Sequence, residues 1–222
     1  MGTLTCANFI TYLTLELGNR SDITTYDDAW INAGYYWLTA RRDLYFPELD
    51  YKSTDKTTTD GTAYVDTAST MLYVQGVYDA TNLRKLRKIK PRDYFKYPDR
   101  ADTDLEGEPT EWTHVAGGTN RGYIYLHPTP DDEYTLNILH RALPSALTGT
   151  NATVIGTEWD EVVLRAAVWL GKMKLQYKAD EIEHEKATLE RMINDLKGLY
   201  DAENLDIDDG VKPKYAYSLS NK

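Results

Sequence analysis

The sequence predicts an α+β fold: a helical bundle made from N- and C-terminal helices, with an antiparallel β domain inserted between them. Three observations predict it. Apolar residues recur at helical spacing near the start, at Phe9, Ile10, Leu13 and Leu17, then at Trp30, Ile31, Gly34, Trp37, Leu38 and Tyr45. From about Asp50 that period gives way to short alternating runs divided by Gly, Pro, Asn and Asp. The helical period returns after Gly156 and holds to about Tyr200. The simplest arrangement packs the terminal helices together and lets the β block project from one end. Residues 1–49 are then the N-terminal helices, 50–150 the β-rich insertion, 151–204 a C-terminal helical hairpin and 205–222 an extended tail.

Thr5 is placed to cap the first helix, and Gly18 falls where a C-terminal cap belongs. Asn19–Thr24 reads as a turn. A second helix is expected from about Tyr26 to Tyr45, capped by Thr25, with Asp27 and Asp28 at its positive end and Pro47 as its stop. The segment KSTDKTTTDGT reads as polar turn. Tyr64–Asp66 and Met71–Tyr78 alternate as strands, and Asn82–Lys90 is a further candidate. Pro91 suits the first position of a short helical turn. Thr110–Val115, Tyr123–Leu126 and Tyr134–Arg141 complete the strands, divided by Gly117-Gly118 and Pro128-Thr129-Pro130-Asp131. The strands flanking the Pro-rich turn are expected to pair at the tip of the insertion.

Thr157 with Asp160 resembles a capping box with Asp in place of Glu. Behind it, Trp159, Val162, Val163, Ala166, Trp169, Leu170, Met173 and Tyr177 make a broad apolar face. Ala179-Asp180 reads as a hinge or a continuation. Ile182, Leu189 and Leu196, with Ile193 and Tyr200 offset, then form a narrow seven-residue stripe. Such a stripe suits an antiparallel hairpin or a neighbouring subunit. Lys186 occupies one stripe position and opposes a long free coiled coil. Beyond Asn204 the period is lost, and the polar tail keeps three anchors, Tyr215, Tyr217 and Leu219.

The totals narrow the function. No run approaches the roughly 18 apolar residues of a membrane span, and the first residues do not read as a signal peptide. A single cysteine, Cys6, forms no internal disulfide and fits a reducing cytoplasm as a small buried side chain. The net charge of −10 opposes tight non-specific binding to nucleic acid, yet an acidic wall would let DNA slide past without sticking. The 18 Tyr against 3 Phe suit half-exposed sheets and protein interfaces.

No catalytic constellation stands out, and none of the residues calls for a cofactor. The four histidines, His114, His127, His140 and His184, lack helical ligand spacing. His127 and His140 would face each other only if the Pro-rich turn closes a hairpin. Glu111-Trp112 offers a sugar platform or, more simply, a Trp plugging the β core. Gly117-Gly118 precedes no helix and cradles no phosphate.

One basic cluster breaks the acidic trend. Arg84, Lys85, Arg87, Lys88, Lys90 and Arg92 place six positive charges in nine residues. An extended chain would send Arg84 and Leu86 one way and Lys85 and Arg87 the other. Between Asp180 and Asp209 stand eleven acidic and three basic residues, starting with Asp180, Glu181, Glu183 and Glu185. Opposite charges on two surfaces of one chain favour head-to-tail self-association. An edge strand kept soluble by lysines, or contact with a nucleic-acid backbone, would use the same basic residues.

The order of short motifs resembles the adaptor, or head–tail connector, proteins of tailed bacteriophages. Trp30-Ile31-Asn32-Ala33 matches the family's N-terminal helices. Pro109 to Trp112, then Leu126-His127-Pro128-Thr129-Pro130, match its β block. Leu143-Pro144 with Leu147-Thr148, and Thr157 to Trp169, match the return into the last helices. His140 stands where the family's strand usually closes on tyrosine. The resemblance implies a structural protein, not an enzyme, present in the virion as a homo-oligomeric ring, usually a dodecamer, and assembled in the host cytoplasm. The ring would dock under the portal through the C-terminal tail, where Lys212, Lys214, Tyr215, Tyr217 and Leu219 are the candidate contacts. Tail or nozzle proteins would bind the opposite face, and DNA would pass without sequence-specific binding. A different phage tail or baseplate attachment module, or a carbohydrate-binding module built on Trp112, are the alternatives.

Overall fold

The computed structural model describes residues 2–97, 106–117 and 121–201. The fold is α+β, in two compact units: Met1–Phe46 with Ser145–Lys222, and Pro47–Pro144.

The first unit contains α1 (Cys6–Glu16), α2 (Asp27–Thr39), α4 (Asp160–Lys174) and α5 (Ala179–Asp201). A capping box starts α1: Asn8 N–H donates to the Thr5 hydroxyl, and the Asn8 side chain accepts from the Thr5 N–H. Gly18, at φ 81°, takes the left-handed conformation that ends the helix. Cys6, Phe9, Leu13 and Leu17 are buried along its inner face. Burial and a hydrogen bond to Asp28 push the Cys6 thiol up to about 11, so it stays protonated.

Helix α2 stops six residues short of the expected Tyr45. After Thr39 the chain turns, and the Arg41 guanidinium reaches Asp43 at 3.0 Å and Glu190 of α5 at 2.8 Å. Thr25 does not cap α2 either. A 3-10 turn at Ser21–Ile23 leads straight in, and Tyr26 holds the cap position without a side-chain bond. Helix α4 packs against α1, α2 and α5. Gly34 allows the closest approach, because a Cβ there would lie 2.7 Å from the Ala167 nitrogen.

Three surrounding helices explain why Leu164, Ala167 and Val168 are buried along with Val162, Val163 and Ala166. Met173, near the helix end, is 46% exposed and leaves the expected face. The expected Thr157–Asp160 capping box does not form. Asp160 instead accepts from the N–H groups of Thr3 at 2.8 Å and Leu4 at 3.0 Å and from the Thr153 hydroxyl at 2.8 Å. Gln176, at φ 56°, turns the chain, so α4 and α5 are separate helices. Leu189 and Ile193 are fully buried, whereas Ile182 and Leu196 are only half-buried.

The second unit holds β1 (Lys52–Thr57), β2 (Tyr64–Asp66), β3 (Met71–Asp79), β4 (Arg84–Lys85), β5 (Arg87–Lys88), the short α3 (Pro91–Tyr94), β6 (Glu111–Val115), β7 (Tyr123–His127) and β8 (Thr135–Ala142). One sheet has the order β1-β8-β3-β4, the other β2-β7-β6-β5. Three expectations change here. The supposed polar turn at Lys52–Thr57 is an edge strand paired with β8, mostly exposed and therefore without an apolar signature. The block is not wholly antiparallel, because β5 and β6 run parallel. The strands flanking the Pro-rich turn do not form a hairpin: β7 and β8 lie in different sheets.

The alternation nonetheless does its work. Ile124 and Leu126 of β7, Leu136 and Ile138 of β8, Val74 and Val77 of β3, and Trp112 of β6 meet in one apolar cluster fed by both sheets.

Candidate interaction surfaces

The basic segment passes from one sheet to the other. Arg84 and Lys85 pair with Asp79 and Tyr78 of β3, while Arg87 and Lys88 pair with Glu111 and Trp112 of β6. Leu86 sits between and is 2% exposed, one of the residues closing the core. Its burial fixes the crossover, and the expected alternation holds across it: Arg84 and Leu86 are the more buried, Lys85 and Arg87 the exposed, while Lys88 departs from the pattern by being exposed as well.

The six cations are unequal. Arg84 braces its own loop, donating to the Pro109 carbonyl at 2.6 Å and pairing with Glu108 at 2.7 Å. Arg87 pairs with the Glu111 carboxylate, which also accepts from the Tyr97 hydroxyl at 2.7 Å. Lys85 lies 5.9 Å above the Tyr78 ring and Lys88 5.0 Å above Trp112, with both residues exposed. Lys90 and Arg92 are also exposed.

The acidic set is reduced. Asp180, Glu181 and Glu183 are exposed on the first turns of α5, where Asp180 and Glu181 also favour the helix dipole. Glu185 is not a surface charge. It is 5% exposed and pairs with Lys172 at 2.7 Å and Arg165 at 3.5 Å, both from α4. Arg165 also reaches Glu16 and Glu161. Glu185 thus holds α5 to α4 and leaves the candidate interface. Lys186 extends to 5.9 Å from the Trp169 ring. Lys212, Lys214, Tyr215, Tyr217 and Leu219 lie outside the described residues.

The other candidate chemistry resolves structurally. Trp112 is 1% exposed and fills the β core, so it offers no face to a sugar. His127 and His140 stand in different sheets and are not cross-strand partners: His127 lies opposite Glu111, and His140 opposite Lys52 and Val74. His127 stacks on Tyr97 at 4.1 Å, and His140 is buried with Nδ1 3.2 Å from the Ile138 carbonyl. Burial pushes the His140 imidazole below its ordinary range. Among the described residues, no group of three or more His, Cys, Asp or Glu side chains could hold a metal ion. None of the described helices is long and apolar enough to cross a membrane.

Sequence reasoning missed the loop between β3 and β4. Asp79, 1% exposed, accepts from the N–H groups of Thr81 at 3.0 Å and Asn82 at 3.1 Å and from the Asn82 side chain at 2.9 Å. Thr81 accepts from Thr135 N–H at 2.9 Å, and Ala80 N–H donates to the Thr135 carbonyl at 2.8 Å. At the end of this pinned loop stands Leu83, left-handed at φ 55° and 90% exposed. An Asp followed by Thr and Asn was the legible signal for an Asx-type turn.

The sequence model of the SU10 adaptor protein family matches residues 4–209 of the chain. Comparison with curated proteins finds no match.

Proposed function

Because the chain belongs to the SU10 adaptor protein family, a phage head–tail adaptor family, we propose that it forms the ring that joins portal to tail and leaves a channel for DNA. The family is one of structural phage adaptors, which places the chain in the virion among other head and tail proteins. The match along residues 4–209 carries the proposal, since it spans the helical segments and the β block alike.

The ring is a homo-oligomer, twelve-fold as the family resemblance implies, and it assembles in the host cytoplasm. Self-association sets exposed Lys85, Arg87 and Lys88 of one copy against exposed Asp180, Glu181 and Glu183 of the next, which is supported by their opposite charge and exposure. Arg84 assists by holding the basic loop in shape. The tail docks on the portal through Lys212, Lys214, Tyr215, Tyr217 and Leu219, and its polar composition suits a segment that orders on binding. Tail or nozzle proteins bind the opposite face. The acidic balance lets DNA pass without being held.

Electron microscopy of intact particles tests this reading. A ring of this chain beneath the portal is the expected result. Purified chain that stays monomeric at every concentration and also ignores portal rings would overturn it. Removing residues 205–222 is expected to abolish portal binding while leaving the melting temperature unchanged.

A further inference from the structure

Leu83 combines two features that folding alone does not favour. A large apolar side chain with 90% of its surface exposed contributes little to a core. A left-handed backbone is unfavourable for leucine and persists only where the surroundings enforce it. The surroundings do so here. The buried Asp79 carboxylate grips the loop from inside, Thr135 holds it from β8, and Arg84 fastens its far end to the Pro109 carbonyl and Glu108. The result is a rigid apolar knob. Apolar anchors that lose little freedom on docking are what interfaces use as hot spots.

A matching surface exists on the same chain. Asn8, Thr11, Tyr12 and Leu15 stand at positions i, i+3, i+4 and i+7 of α1, and all are exposed. Tyr12 is 44% and Leu15 55% exposed. This face carries no charge in a chain that is 27% charged. At its edge, Glu16 belongs to a group of three carboxylates, with Glu161 and Glu185, that share two cations, Arg165 and Lys172. One negative charge is left over there, and Leu83 has exposed Lys85 two residues away. Apolar knob and apolar face therefore come with opposite charges at their margins.

We propose that Leu83 of one copy seats on the Tyr12–Leu15 face of α1 in a second copy. The two surfaces differ, so the contact is head-to-tail and repeats around a ring. The inference rests on the ring reading above and names one of its lateral contacts.

Disulfide trapping tests it in the full chain. Cys6 is buried and its thiol is pushed up to about 11, so it stays out of the reaction. A Leu83→Cys variant mixed with a Leu15→Cys variant under mild oxidant is expected to give a covalent dimer well above the yield of either variant alone. Oligomers that form without the mixed cross-link would overturn this contact and leave the ring reading standing. A chain that remains monomeric, both free and with portal rings, would overturn both. A second variant separates docking from folding. Leu83→Gly relieves the left-handed strain, so its melting temperature should hold or rise while self-association weakens about tenfold or more. A fall in melting temperature with unchanged association would mark Leu83 as structural and sink the proposal.

Discussion

Arg141 donates from Nε and Nη2 to the two carboxylate oxygens of Asp50, at 2.7 and 2.5 Å, and only 2% and 0% of the two side chains are exposed. Gln75 of β3 adds a hydrogen bond to the same carboxylate at 2.6 Å, and the guanidinium lies 5.1 Å from the Tyr73 ring centre. The pair therefore ties the entry to β1, the middle of β3 and the end of β8. Breaking it from one side strands a buried charge. Arg141→Met or Asp50→Asn should each cost about 3–5 kcal/mol, and Asp50→Leu with Arg141→Met should recover much of that. Urea denaturation checks it. A double variant as unstable as the singles would show that the space, not the charge, matters.

The Asp79 carboxylate satisfies two backbone N–H groups from a nearly fully buried position. Asp79→Ala should cost about 1–3 kcal/mol. It should also speed hydrogen exchange at the Thr81 and Asn82 amides. Unchanged exchange there would mean the loop is held by Arg84 and Thr135 alone.

His140 gives the β unit a pH dependence. Burial lowers its folded pKa below the ordinary 6.5, so the unfolded chain binds the proton first as pH falls. Stability is therefore full above about 6.5 and declines as pH drops toward the folded pKa. His140→Phe should flatten that slope. Melting curves between neutral and mildly acid pH read it directly, and an equally steep slope in the variant would assign it to another group.

Charge exchange tests the proposed electrostatic contact. Lys85→Glu with Lys88→Glu should weaken self-association about tenfold, a loss of about 1.4 kcal/mol. Adding Asp180→Lys and Glu183→Lys to the same chain should restore it, since each copy then meets a neighbour with both signs reversed. Sedimentation at low and high salt measures both. Failure of the restoring pair would place the partner of Lys85 and Lys88 elsewhere.

The sequence by itself determined the features whose signal is local. Capping by Thr5 and Gly18, the inward pattern of Ile124 and Leu126, the buried face of Val162, Val163 and Ala166, and the buried Trp112 all follow from residues a few positions apart. The charged candidates were legible as charges, but their roles were not. Only the tertiary structure decided that Lys52–Thr57 is an edge strand, because an exposed edge needs no apolar pattern and takes its strand character from β8. It alone separated β7 from β8 and sent Arg84–Lys85 and Arg87–Lys88 to different sheets. It alone buried Glu185 against Lys172 and Arg165 and left Leu83 exposed on a loop held by Asp79. Periodicity reports which face of an element seeks the core, whereas pairing and charge compensation depend on partners brought together from distant parts of the chain.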